Sequence, residues 1–398
     1  MDTVFLNAVA ITPFEQVDDC KIVVTDGRIA QFGKTSEVES PAGARVIDLA
    51  GSYITPGLID VQINGGGGYM FSTAIEADAY MAILRAHASL GTTSVCPTII
   101  SGPMVEMVEA IKLCASLTRS RNDAAAASIV GVHVEGPFLS ERKRGGHALE
   151  NLAAPDRVEA RRLIDAAEES GGRVAIFTLA PELPGALEIV ESLVERGVFV
   201  SLGHSSGSAA DFSSAFDAGA RGVTHLFNAM EGMSSRVPGG VGAALARPDV
   251  YAGLIADLLH VDAVSLKAAI NARGSETTYL TTDAVSPLGS SDESFDLYGV
   301  TVTVRDGGCY TADGVLAGTA TPLSRMVRNL VESVGVDVVA AVRMATYVPA
   351  LVAGVVEDRG ELAPGKRADL VVWSPNLEPQ SVWIDGAEVA GSLTSIRS

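Results

Sequence analysis

Two of the six histidines follow apolar stretches that read as β-strands: His204 ends "VFVSLGH" and His225 ends "ARGVTH". A third such stretch, "SIVGVHVE", ends on Glu135, and a fourth, "TTYLTTD", ends on Asp283. Two imidazoles and one carboxylate form a donor set that holds a divalent metal and leaves a position for water. A metal held this way acidifies water from ~15.7 towards ~7 and polarises a carbonyl. A nearby carboxylate such as Asp283 suits general-base work: it takes the water's proton and returns it to a leaving amine. Each residue alone reads more simply, the histidines as satisfied core side chains and Asp283 as a turn residue in "TTDAVSP". Four chemically competent side chains ending four strands in one chain point to a metal-dependent hydrolase.

The other ionisable candidates sort by context. His87 falls mid-helix in "ILRAHASLG" and reads as packing. His133 alternates with Glu135 and shares its strand face, as packing or as support for the site. In the loop "SERKRGGHALE", Arg142, Lys143 and Arg144 read as solvated charge, while His147, after two glycines, can reach inward. Arg236 in "FNAMEGMSSRVPGG" and His260 in "IADLLHVD" are suited to neutralise an anion. Arginine favours phosphate because its planar fork binds two oxygens at once. The Gly65–Gly68 run reads equally well as a flexible loop or a phosphate cradle.

The elements that carry these residues alternate. Apolar strands "GLIDVQIN", "TTSVCPTII", "SIVGVHVE", "RVAIFTLA", "VFVSLGH", "ARGVTH", "VYAGLIAD" and "TTYLTTD" are mostly separated by Ala-rich helical segments. Eight such βα repeats predict an α/β fold, a (β/α)8 TIM barrel over residues 55–357. An open doubly wound sheet is the alternative, disfavoured because no GxGxxG follows the first strand. In a barrel the carboxyl ends of the strands carry the active site, which brings Glu135, His204, His225 and Asp283 together. Both chain ends have another texture: short strands with Asp26-Gly27 and Asp385-Gly386 as hairpin turns. Residues 1–54 and 358–398 are therefore expected to form one small β-sandwich domain.

Bulk properties bound the function. The net charge of −19 argues against a nucleic-acid partner, which would require clustered cations. No stretch of about 20 residues is apolar enough to span a bilayer, and the N-terminus lacks the basic and apolar regions of a signal peptide. The four scattered cysteines show no CxxC spacing and read as reduced thiols in a cytoplasmic protein.

The segments "PGLIDVQINGGGG", "HVEGPF", "LGHSS", "THLFNAM", "TTDA" and "GELAPGKRADLVV" resemble the amidohydrolase superfamily. Within it, they closely resemble the N-acetylglucosamine-6-phosphate deacetylase family, over essentially the whole chain. The resemblance implies hydrolysis of an acetamide on a phosphorylated amino sugar, with the metal at Glu135, His204 and His225 and Asp283 as acid and base. It implies substrate contacts from His147, Asn228, Ala229 and Leu316, Ala317 and Gly318, with Arg236 and His260 on the 6-phosphate. It also implies a homodimer, or a homotetramer, with phosphate-site residues shared across the interface. Most amidohydrolases carry HxH after the first barrel strand; this chain has Gln62-Ile63-Asn64. Carboxamides are poorer zinc ligands than imidazole, which favours one metal: zinc foremost, with iron, cobalt or manganese as alternatives. A second metal, or a metal-shell role, at Gln62 and Asn64 stays open. Two further departures are the loop "GGHALE", without the expected Asn and Pro after the His, and Leu259 where a Gly is common. Competing readings are a cyclic amidase or deaminase, disfavoured by the missing HxH and the lack of a strand-end Lys, and an inactive scaffold.

Overall fold

The computed structural model describes residues 2–118 and 129–391. Ser128 of the third expected strand, and residues 1 and 392–398 of the expected small domain, lie outside the described residues.

Eight parallel strands form the central sheet: β1 (Leu58–Ile63), β2 (Thr92–Ile100), β3 (Val132–Glu135), β4 (Val174–Leu179), β5 (Phe199–Leu202), β6 (Gly222–Val223), β7 (Tyr251–Leu254) and β8 (Thr278–Leu280). They pair in sequence order. β1 to β4 are buried at every position. That is the signature of parallel strands covered on both faces, and it explains why they read as continuous apolar runs. Among the helices that flank them are α1 (Ala77–Ser89), α2 (Met104–Leu117), α3 (Arg157–Glu169), α4 (Ala186–Glu195), α5 (Ala209–Asp217), α6 (Gly239–Leu245), α7 (Ala263–Arg273) and α8 (Leu323–Asn329), and two more, Val338–Ala345 and Tyr347–Val352, pack against β1 and β8. Asp156 caps α3 through Val158 N and Glu159 N, and Ser208 with Asp211 forms a capping box on α5.

The barrel closes just beyond β8. Asp283 N donates to Gln62 O at 3.0 Å, and Asn64 N to Ala284 O at 2.8 Å. Beneath them the buried Asp60 carboxylate accepts Thr281 Oγ1 at 2.7 Å and Thr282 Oγ1 at 2.6 Å. This closure sets the height of Asp283 relative to β1.

Between β8 and α8 the chain inserts a four-stranded antiparallel sheet: residues 294–297, 300–305, 308–311 and 316–319. Its apolar face, with Leu297, Val302, Cys309 and Ala317, packs on Met70, Ile100 and Val285. Sequence reading missed it, although the signal was present: Tyr298-Gly299 and Asp306-Gly307 both have two consecutive positive φ angles, the turn geometry of tight hairpins.

The two chain ends meet in one eight-stranded sheet. Leu370–Trp373 pairs antiparallel with Tyr53–Pro56, which pairs with Thr3–Ile11. Phe5, Ile22, Ile54, Leu370 and Trp383 share its core. Both expected hairpins form: Asp26-Gly27 joins 16–25 to 28–34, and Asp385-Gly386 joins 379–384 to 387–391. Arg359 ties this sheet to the barrel, reaching Ser94 Oγ on β2 at 2.7 Å and Asp369 Oδ2 at 3.3 Å.

Candidate active site

Glu135 is the last residue of β3, whereas His204, His225 and Asp283 stand two or three residues past β5, β6 and β8. All three of these later residues have positive φ, at 48°, 34° and 53°. Non-glycine residues reach that region only at a cost, and such strain clusters where a site over-determines the backbone. Here it turns each side chain off its strand end and over the barrel axis.

The three donors converge. His204 Nε2 and His225 Nε2 each lie 3.2 Å from Glu135 Oε1, and 3.0 Å from one another. All three groups are buried. His204 Nδ1–H donates to Lys143 O at 2.9 Å, which leaves Nε2 as the lone pair facing the cluster. Burial alone would raise the Glu135 pKa, but the two imidazoles outweigh it and hold the carboxylate well below its usual range. Burial opposes charge on His225, yet its hydrogen bond and charge contact with Glu135 raise its pKa. Two imidazole nitrogens and an anionic oxygen, mutually within 4.8 Å, could hold a positive charge between them. The donor set fits a divalent cation with nitrogen and oxygen preferences.

Asp283 stands beside this cluster. Burial, then the charge of Glu135, raises its pKa. Its Oδ1 accepts Gln62 Nε2 at 3.1 Å and Asn64 Nδ2 at 2.7 Å. Gln62 Nε2 also reaches both Glu135 oxygens, at 3.1 and 3.2 Å. The two carboxamides therefore contact the carboxylates.

These groups open into a cavity of about 510 Å³. Of the expected substrate contacts, His147, Asn228, Ala229, His260, Leu316, Ala317 and Gly318 line it, as does Asn64. Arg236 does not; it sits on an exposed stretch, residues 232–238, away from its own chain's cavity. Arg142, Lys143 and Arg144, expected to be solvated, also form part of the wall: Arg142 is exposed there, and Lys143 and Arg144 are half-buried. So do Val300, Thr311, Asp313 and Val315 of the inserted sheet, which covers the barrel mouth.

Ser101 N donates to His147 Nδ1 at 3.4 Å and Ser101 Oγ lies 2.9 Å from the same nitrogen; with both Ser101 groups donating, the ring carries its proton on Nε2, where it can be given to a ligand. Burial, with the neighbouring His204, pulls the His147 pKa to about 3, so the ring is neutral. His260 Nδ1 is held by Asp257 Oδ2 at 2.7 Å. His133 and His87 are structural, as their context implied. His133 bridges Val61 O and Thr178 Oγ1, and His87 Nε2 holds Gly65 O at 2.9 Å. That second contact makes the Gly65–Gly68 segment an anchored turn, with Gly67 packed on the backbone of α1.

Comparison with known proteins agrees with this geometry. The amidohydrolase family model matches residues 53–389. The chain is 35% identical to the N-acetylgalactosamine-6-phosphate deacetylase of Shewanella sp. (strain ANA-3), over 96% of this chain and 94% of that protein. It is 30% identical to the N-acetylglucosamine-6-phosphate deacetylase of Haemophilus influenzae, over 97% and 99%. The crystal structure of N-acetylglucosamine-6-phosphate deacetylase from Pasteurella multocida superposes with a TM-score of 0.90 at 34% identity, over 98% of this chain and 99% of that one. On the family match, the full-length relatives and the strand-end donor set together, the chain belongs to the amidohydrolase family.

Proposed function

We propose that the chain hydrolyses the acetamide of N-acetyl-D-glucosamine 6-phosphate to D-glucosamine 6-phosphate and acetate, in amino-sugar catabolism or cell-wall recycling. The observation that carries this reading is the convergence of Glu135, His204 and His225 beside Asp283 in one cavity. It occurs in a chain that matches sugar-phosphate deacetylases along nearly its whole length. The catalytic unit is residues 55–357, and the two chain ends, described over residues 2–54 and 358–391, form the small domain.

Glu135, His204 and His225 hold one divalent metal, zinc foremost among zinc, iron, cobalt and manganese. Bound there, it lowers the pKa of water and polarises the carbonyl. Asp283 accepts the proton of the attacking water on its carboxylate and delivers it to the departing amine nitrogen. His147, neutral with its proton on Nε2, donates to the acetamide oxygen. Asn228, Ala229 and Leu316 to Gly318 bound the sugar. His260 faces the phosphate from within the chain. Arg236 reaches it from a second copy, in a homodimer or homotetramer; its exposed position beside exposed Met233 and Val237 supports that placement. Four free, buried cysteines fit a reducing cytoplasm.

A second reading, the 4-epimer N-acetylgalactosamine 6-phosphate as the preferred substrate, is favoured by the 35% identity to the Shewanella enzyme. Acetate release from both sugar phosphates, with chelator and with metal re-addition, tests the proposal. Metal-dependent release with the higher kcat/KM on the gluco epimer is expected. No release from either sugar would overturn it, and a preference for the galacto epimer would favour the second reading.

A further inference from the structure

Gln62 and Asn64 stand where the superfamily's first-strand imidazoles would be, and both are buried, at 2% and 6% exposure. Their amide nitrogens face carboxylates. A carboxamide lodged between Glu135 and Asp283 must present nitrogen to both, because the reverse orientation sets its oxygen against two anions. One Gln62 N–H spans the two Glu135 oxygens, and the other meets Asp283 Oδ1 at 3.1 Å. Asn64 Nδ2 adds a second donor to that same Oδ1, at 2.7 Å. Two N–H groups fill the lone pairs of Oδ1. Oδ2 accepts no hydrogen bond among the described residues, and Asp283 lines the cavity. The main chain holds the same position, through Asp283 N to Gln62 O at 3.0 Å and Thr319 N to Asp283 O at 3.1 Å.

We propose that Gln62 and Asn64 are positioning residues that lock Asp283 through Oδ1, so that Oδ2 alone accepts and returns the proton during amide hydrolysis. This rests on the deacetylase reading above. The two amides also brace a pair of like charges with neutral donors, without a second cation. Their division of labour differs: among the described residues the Asn64 side chain hydrogen-bonds Asp283 alone, whereas the Gln62 side chain bonds both Asp283 and the ligand Glu135.

The test uses the full-length, zinc-loaded protein with Asn64→Leu and Gln62→Met. Asn64→Leu lowers kcat about 10- to 100-fold, with KM and zinc affinity within about twofold of the parent. Gln62→Met lowers kcat similarly and also weakens zinc affinity, by about 10- to 100-fold in chelator competition. Asn64→Ala, which loses the same donor with less bulk, is read in the same way if the leucine variant does not fold. Two results would overturn the proposal: kcat of the Asn64 variant within about twofold of the parent, or zinc loss in that variant as large as in Gln62→Met. A parent that releases no acetate would refute the deacetylase reading instead. The zinc-affinity contrast between the two positions needs no substrate and still decides the roles of the amides.

Discussion

Replacing Asp283 by Asn separates proton transfer from every other property of the site. The asparagine carbonyl can occupy the position of Oδ1 and keep the donors from Gln62 and Asn64, at 3.1 and 2.7 Å. Only the outward atom changes, from a proton-accepting oxygen to an NH2. Geometry, zinc content and KM are therefore retained, while kcat falls by about 10²- to 10⁴-fold, the usual span for a positioned acid–base group. That loss corresponds to ~2.7–5.4 kcal/mol of barrier. The same substitution has the opposite effect on metal-free stability. Burial and Glu135 raise the native Asp283 pKa above its unfolded value, so the folded state binds the proton more tightly. Stability is then present at low pH and is lost as pH rises through the native pKa. A neutral Asn removes that loss, so the metal-free variant melts higher than the metal-free parent at neutral pH. Acetate release, metal analysis and thermal melts of the chelated protein give the three readouts. A kcat within about tenfold of the parent at full metal occupancy would remove Asp283 from the proton path, and a lower melting temperature would refute the charge-repulsion argument.

Metal affinity should fall as pH falls, because a proton on His225, favoured by Glu135, competes for the Nε2 that must coordinate; zinc competition from about pH 8 to about pH 6 measures it, and a flat profile would contradict the ligand assignment. Gly318→Ala places a Cβ 2.5 Å from Val285 Cγ1 and 2.7 Å from Asp283 O, at a φ of +85°. It should destabilise by about 1–3 kcal/mol and lower kcat by shifting Asp283; an unchanged melting temperature would show that the segment yields freely. Arg236→Ala should raise KM for the phosphorylated sugar while sparing unphosphorylated N-acetylglucosamine; equal losses on both would count against a phosphate role.

The sequence by itself carried the barrel and the chemical centre. Strands buried on both faces read as apolar runs because no solvent-facing position interrupts them. In a parallel barrel every strand delivers its C-terminal residue to one end. Glu135, His204, His225 and Asp283 were legible for that reason, and so were the Asp-Gly hairpins, whose positive φ angles favour those residue types. Tertiary structure decided what lies between. Gln62 and Asn64 could be metal ligands or donors until they met partners 73, 221 and 219 residues away. Whether Arg142 to Arg144 face solvent or substrate, and whether Arg236 serves its own chain, depends on how the β3–α3 and β6–α6 loops fold back over the barrel. Local periodicity carries no such information, because these positions are set by through-space contacts between loops and the inserted sheet 294–319.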